Sequence, residues 1–149
     1  MSSKAKTTRA SGLRILIIEA RYHSHVADRL ADGATAALDQ GMAQFTRTAV
    51  PGVLEIPAAI AMASHHHNFD AYVALGCVIG GDTTADTLYR ETCRGLMQLA
   101  TQGIAIGNGV LLAEHERAAL SRADEGDAGG DAARAALALA TLRERLAIL

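Results

Sequence analysis

Hydrophobic positions along the chain fall into two alternating patterns. Leu13–Glu19 (LRILIIE) is a continuous apolar run between Gly12 and Arg21, and its length and β-branched content predict a strand buried on both faces. Val26, Leu30, Ala34, Ala37 and Leu38 then recur at helical spacing through Gln40; Ser24 is placed to cap this helix and Gly41 to stop it. Phe45–Val50 alternates as a second strand. Pro51-Gly52 ends it, and Glu55 and Pro57 open a helix that runs to about Ser64, proline being tolerated in a first turn. Ala71–Ile79 is a third buried strand. After a Gly-Gly-Asp-Thr-Thr loop, Asp86–Gln102 carries Leu88, Leu96 and Leu99 on one helical face, with Gly103 as its stop. Ile104–Leu112 is a fourth strand weakened by two glycines. Glu116–Arg122 is a short helix, 124–131 a Gly/Asp/Ala loop, and Ala132–Leu149 a long helix with no internal breaker.

Strands alternating with helices predict a four-stranded, mostly parallel sheet covered on both faces, a three-layer α/β/α sandwich. Ligands in such sheets bind beyond the carboxyl ends of the strands. The rule directs attention to four places: 20–23, 51–55, 79–84 and the end of the fourth strand. No internal repeat is visible.

Composition narrows the chemistry. Half of the 149 residues are hydrophobic, enough for one sizeable core. The net charge of −2 is spread along the chain, without the clustered Lys and Arg of a nucleic-acid footprint. The only lysines, Lys4 and Lys6, lie in the first eleven residues, a segment that reads as a disordered tail before a domain spanning 12–149. No other residue offers an amine nucleophile. Cys77 and Cys93 match no zinc or CxxC spacing and read as small buried hydrophobes in a reducing compartment. No apolar stretch is longer than a strand, so neither a signal peptide nor a membrane span is expected, and the location reads as cytoplasmic. Three consecutive histidines, His65–His67, cannot all face one ion from a helix end; they read as a solvated terminus and no metal site is expected.

The four places carry a resemblance. Ala20-Arg21-Tyr22-His23, Val50-Pro51-Gly52-Val53-Leu54-Glu55-Ile56-Pro57, Ala74–Ile79 with Gly81-Asp82-Thr83-Thr84, Gly107–Leu111 and Gly129–Ala133 follow one another in a single register over roughly residues 13 to 145. Together they resemble the 6,7-dimethyl-8-ribityllumazine synthases. The resemblance implies a flavodoxin-like sandwich. The implied reaction condenses a ribitylaminopyrimidinedione with 3,4-dihydroxy-2-butanone 4-phosphate in riboflavin biosynthesis, with no metal and no organic cofactor. It also implies homo-pentamers, sometimes built into decamers or icosahedral shells, with sites between subunits and a further strand donated by a neighbour. Tyr22 takes the place of the aromatic that stacks on the pyrimidine. Leu54, Glu55, Val78, Ile79 and Asn108 surround the ring and its ribityl chain. Gly81, Asp82, Thr83 and Thr84 form the phosphate loop, and Arg122 supplies a charge to a neighbour's phosphate.

Each residue has a plainer reading. Tyr22 is also a strand-end aromatic; Glu55 is a first-turn acid favoured by the helix dipole; Arg122 is a solvated arginine at a helix end. His23 and His25 flank the pocket without matching the family's acid–base position.

The chain departs from the family at three positions. Gly80 stands where an arginine is usual. The acid–base histidine is absent, its place falling at Ala85 or in a one-residue deletion. Ala128 replaces a lysine. No intact catalytic residue is left, so impaired turnover and weak binding of the phosphate are expected. Two origins fit: natural divergence, or engineering that disabled the site and kept a pentameric building block for a cage, with a second designed chain as partner. The pattern of Gly and Ala replacements favours engineering. A third reading keeps only ring binding, as a small lumazine- or flavin-binding module.

Overall fold

A computed structural model describes residues 12–149; the tail expected over 1–11 lies outside the described residues. Its elements run β1 (Arg14–Ala20), α1 (Ser24–Gln40), β2 (Gln44–Val50), α2 (Glu55–Ser64), β3 (Ala71–Ile79), α3 (Thr83–Ala100), β4 (Ile106–Ala113), α4 (Glu116–Asp124) and α5 (Ala128–Leu146). The sheet order is β2-β1-β3-β4, and every pairing is parallel, so the expected mostly parallel sheet is wholly so.

The double-faced burial of β1 explains the three layers. Ile15 and Ile17 point into a core built with Val26, Leu30 and Leu38 of α1 and the alanines of α4 and α5. Leu16 and Ile18 point the other way, onto Ile56 and Ile60 of α2 and Leu96 of α3. The chain leaves β1 toward β2 on one side and β3 toward β4 on the other. The switch point therefore lies between the carboxyl ends of β1 and β3, where a crevice opens.

Among the boundaries that differ from the sequence expectation, three bear on the site and its packing. Helix α3 begins three residues early, at Thr83, because Asp82 is its N-cap: Oδ1 accepts the Ala85 N–H at 2.9 Å. Helix α5 begins at Ala128, not Ala132. Gly129 and Gly130, read as loop, are helical because α5 lies directly on α1; a Cβ on Gly129 would sit 2.0 Å from the Leu30 carbonyl oxygen. The same closeness explains a glycine in β4: a Cβ on Gly107 would meet the Ala132 carbonyl oxygen at 1.8 Å. β4 itself starts at Ile106, two residues after the apolar run does.

Two smaller expectations are corrected. Ser24 lies inside α1, whose N-cap position is His23 with no side-chain capping bond. Cys93 is only half buried, with Asn108 Nδ2 3.6 Å from its sulfur. Cys77 is buried as expected, and burial pushes its thiol pKa up to about 11. No helix among the described residues is long and apolar enough to cross a membrane.

Candidate functional site

The first site loop is held by charge. Glu19, at the end of β1, is 3% exposed, and its burial is tolerable only because it is paired. Arg47 of β2 donates to both of its oxygens, Nε to Oε2 at 2.6 Å and Nη2 to Oε1 at 2.9 Å. Arg21 donates to Oε1 at 2.7 Å and, through its other nitrogen, to Asp28 of α1. The Asp28 contact holds the Arg21 guanidinium above its ordinary pKa and the Asp28 carboxyl below its own; the hydrogen bond to Glu19 likewise raises Arg47. With its predecessor clamped, Tyr22 projects outward. It is 82% exposed, and its ring meets that of His23 edge-on at 5.0 Å between centroids.

The second loop follows β2. Pro51-Gly52 turns the chain so that Glu55 opens α2, and Glu55 Oε2 accepts the Gly52 N–H at 3.1 Å. Glu55 is therefore a first-turn acid that also rigidifies the turn, and it remains exposed at the cleft. Leu54, half exposed at 53%, stands beside it.

The third loop follows β3. Gly80 has φ +150°, a region that only glycine enters readily, and a Cβ there would lie 3.0 Å from the Ala85 Cβ. An arginine at this position would strain the present loop. The loop, its glycine and the buried Ala85 form one conformational unit.

These loops enclose two adjoining clefts that share Asp82. One, of about 420 Å³, is lined by Tyr22, His23, Leu54, Glu55, Val78 and Ile79, with Thr84, Ala85 and Leu88 on the α3 side. The other, of about 520 Å³, is lined by Gly80–Thr83, Asp86 and Leu112–Glu114. Among the described residues, no lysine or arginine lines either cleft.

The structure thus brings Tyr22, Leu54, Glu55, Val78, Ile79 and the Gly81–Thr84 loop together in one chain. It keeps two expected residues apart from them. Asn108 lies within β4, its Oδ1 accepting the Val110 N–H at 2.9 Å. Arg122, on α4, donates to the Leu112 carbonyl at 2.8 Å and lines neither cleft. Ala128 packs against the core at the start of α5. Sequence reasoning overlooked Leu88 as a cleft residue, since its helical spacing marks it for the core. It set aside Asp86, which lines the second cleft once α3 starts early. His65–His67 end α2 at the opposite end of the sheet, and no group of three metal-ligating side chains occurs among the described residues.

A family model described as 6,7-dimethyl-8-ribityllumazine synthase matches residues 12–144. The chain is 50% identical over 137 residues to the 6,7-dimethyl-8-ribityllumazine synthase of Sphingopyxis alaskensis, covering 90% of this chain and 97% of the relative. It is 49% identical over 135 residues to that of Novosphingobium aromaticivorans (89% and 97% covered) and 46% identical over 136 residues to that of Zymomonas mobilis (89% and 98% covered).

Proposed function

This chain belongs to the 6,7-dimethyl-8-ribityllumazine synthase family, and we propose that it performs, at reduced rate, the condensation of 5-amino-6-ribitylaminopyrimidinedione with 3,4-dihydroxy-2-butanone 4-phosphate. The carrying observation is the convergence of Tyr22, Leu54, Glu55, Val78 and Ile79 on one cleft beside the Gly81–Thr84 loop. Tyr22 offers a free π-face to the pyrimidine ring. Glu55 and the turn it braces face the ribityl hydroxyls. The backbone of the loop before α3 faces the four-carbon substrate. Asn108 and Arg122 serve the cleft of a neighbouring copy in a cytoplasmic homo-pentamer, in keeping with neither side chain lining a cleft of its own chain.

The protein's part in the reaction is to hold the amine against the ketone. Proximity of that kind is worth more than the about 10²–10⁴-fold contributed by a positioned acid–base group. Loss of the family histidine therefore slows the reaction without removing its basis. His23 lines the cleft and is the nearest imidazole available to carry protons.

A turnover assay following lumazine formation, run beside the Sphingopyxis alaskensis relative, tests this. The expected result is saturable turnover about 10²–10⁴-fold below the relative. A rate indistinguishable from the uncatalysed reaction, with pentamers intact in sedimentation, favours the second reading, an assembly component with a disabled site. That reading draws on Gly80, Ala85 and Ala128. The positive φ of Gly80 counts against three simple truncations, because the loop is shaped around its glycine.

A further inference from the structure

Tyr22 is 82% exposed, so little packs on its ring to hold it over the cleft. Its position is inherited from the backbone on either side. Downstream, His23 opens α1, its carbonyl accepting the Ala27 N–H at 2.9 Å. Upstream, Arg21 is tied at both ends. Its backbone N–H donates to the Val50 carbonyl at 3.3 Å, and its guanidinium bridges Glu19 and Asp28. The Glu19 carboxylate is in turn held from β2, an edge strand of the sheet. Among the described residues, Arg47 supplies the donor to Oε2 and shares Oε1 with Arg21. A two-pronged guanidinium fixes the plane of a carboxylate as a single donor does not. The plane of Glu19 sets where Oε1 lies, and Oε1 is the atom that Arg21 binds. Arg47 itself lines neither cleft.

We propose that Arg47 is a positioning residue for the ring half of the site: through Glu19 and Arg21 it keeps Tyr22 where it stacks on the pyrimidine. The proposal rests on the reading above, which gives Tyr22 that stacking role. Without Arg47, Glu19 Oε2 is a buried acceptor with no donor, a costly state that the carboxylate relieves by turning. Oε1 then moves, and Arg21 cannot keep its present geometry to both Glu19 and Asp28. The side chain that ties the loop loses one of its two anchors, and the segment between Val50 and α1 gains freedom. Tyr22 has then to be ordered during binding, so the loss appears in affinity for the ring. Arg47 touches neither substrate. Its effect falls equally on ground state and transition state and leaves kcat alone.

The test is a double-mutant cycle on the full chain, read by fluorescence titration with 6,7-dimethyl-8-ribityllumazine. Arg47→Met keeps the apolar stem and removes the donors. It is expected to weaken binding about 3- to 10-fold. In a Tyr22→Ala background the same substitution is expected to change affinity by less than about twofold, because the group it positions is gone. In turnover, the KM for the pyrimidine rises by the same factor as the loss of affinity, with kcat and the KM for the butanone phosphate unchanged. Arg47→Lys, which keeps a charge but only a point donor, is expected to fall between. It carries the same cycle where the methionine variant does not fold. Unchanged affinity in both Arg47 variants, with Tyr22→Ala still weakening binding, overturns the proposal and leaves the ring reading standing. An equal loss with and without the Tyr22 ring also overturns it, since Arg47 then supports the cleft at large. No effect of Tyr22→Ala overturns it together with the reading on which it rests.

Discussion

At the carboxyl end of the sheet, Glu55, Asp82, Asp86 and Glu114 border the two adjoining clefts beneath an exposed Tyr22. At the amino end, a cleft of about 470 Å³ is lined by His65, His67, Tyr72, Gln102 and Arg143. The volumes are similar and the charge is opposite. On size and basic residues alone, the amino end looks the better anion site. The permanent cation that lines it is already used: Arg143 donates to the Asp70 carbonyl at 3.0 Å and to the Gly103 carbonyl, stapling α5 to the loops before β3 and β4. At the carboxyl end, the Tyr22 ring face and the Leu54 side chain are left without such internal work. What distinguishes the ligand end is the groups it leaves uncommitted.

The comparison can be broken first through the buried charge at the carboxyl end. Glu19→Gln removes the anion that Arg21 and Arg47 share, and is expected to cost about 2–3 kcal/mol in denaturant unfolding; that is below the cost of breaking a fully buried pair because both arginines reach solvent. An unchanged midpoint would show that the Glu19 network contributes nothing to stability.

A paired experiment sharpens the contrast between the ends. Tyr22→Ala should weaken binding of the lumazine product about 10- to 100-fold by fluorescence titration, the worth of one stacked ring, with little change in stability. Arg143→Met should do the reverse, costing about 1 kcal/mol of stability and leaving product affinity alone. A loss of affinity in Arg143→Met would return the amino-end cleft to consideration.

The smallest effect concerns alkaline pH. Burial raises the Cys77 thiol from 9.0 to about 11, and burial also raises the phenols of Tyr72 and Tyr89. An acid harder to ionise when folded stabilises the fold below its unfolded pKa, and that contribution is lost as pH rises through the folded value. Stability should therefore fall between pH 9 and about 11, and Cys77→Ala should flatten part of that limb in pH-resolved denaturant melts.

Much of this was legible in the chain. The double-faced apolar runs 13–19 and 71–79 require a sheet buried on both sides, and strand–helix alternation with its Pro-Gly and Gly stops requires parallel crossovers. These signals are local, since burial period and turn chemistry are written within a few residues of where they act. The motifs at 20–23, 50–57 and 81–84 likewise mark the site, because the strand-end rule makes their convergence a consequence of topology.

Only the tertiary structure decided the rest. Gly129 has to be a glycine because the Leu30 backbone, far earlier in the chain, lies against it. Asp82 shares a cleft with Glu114 from beyond the end of another strand. Glu19 is satisfied by Arg47 from another strand, and Arg143 is committed to the carbonyls of Asp70 and Gly103. Each depends on partners far apart in sequence, and local periodicity carries no record of which distant group a glycine, a carboxylate or a guanidinium will meet.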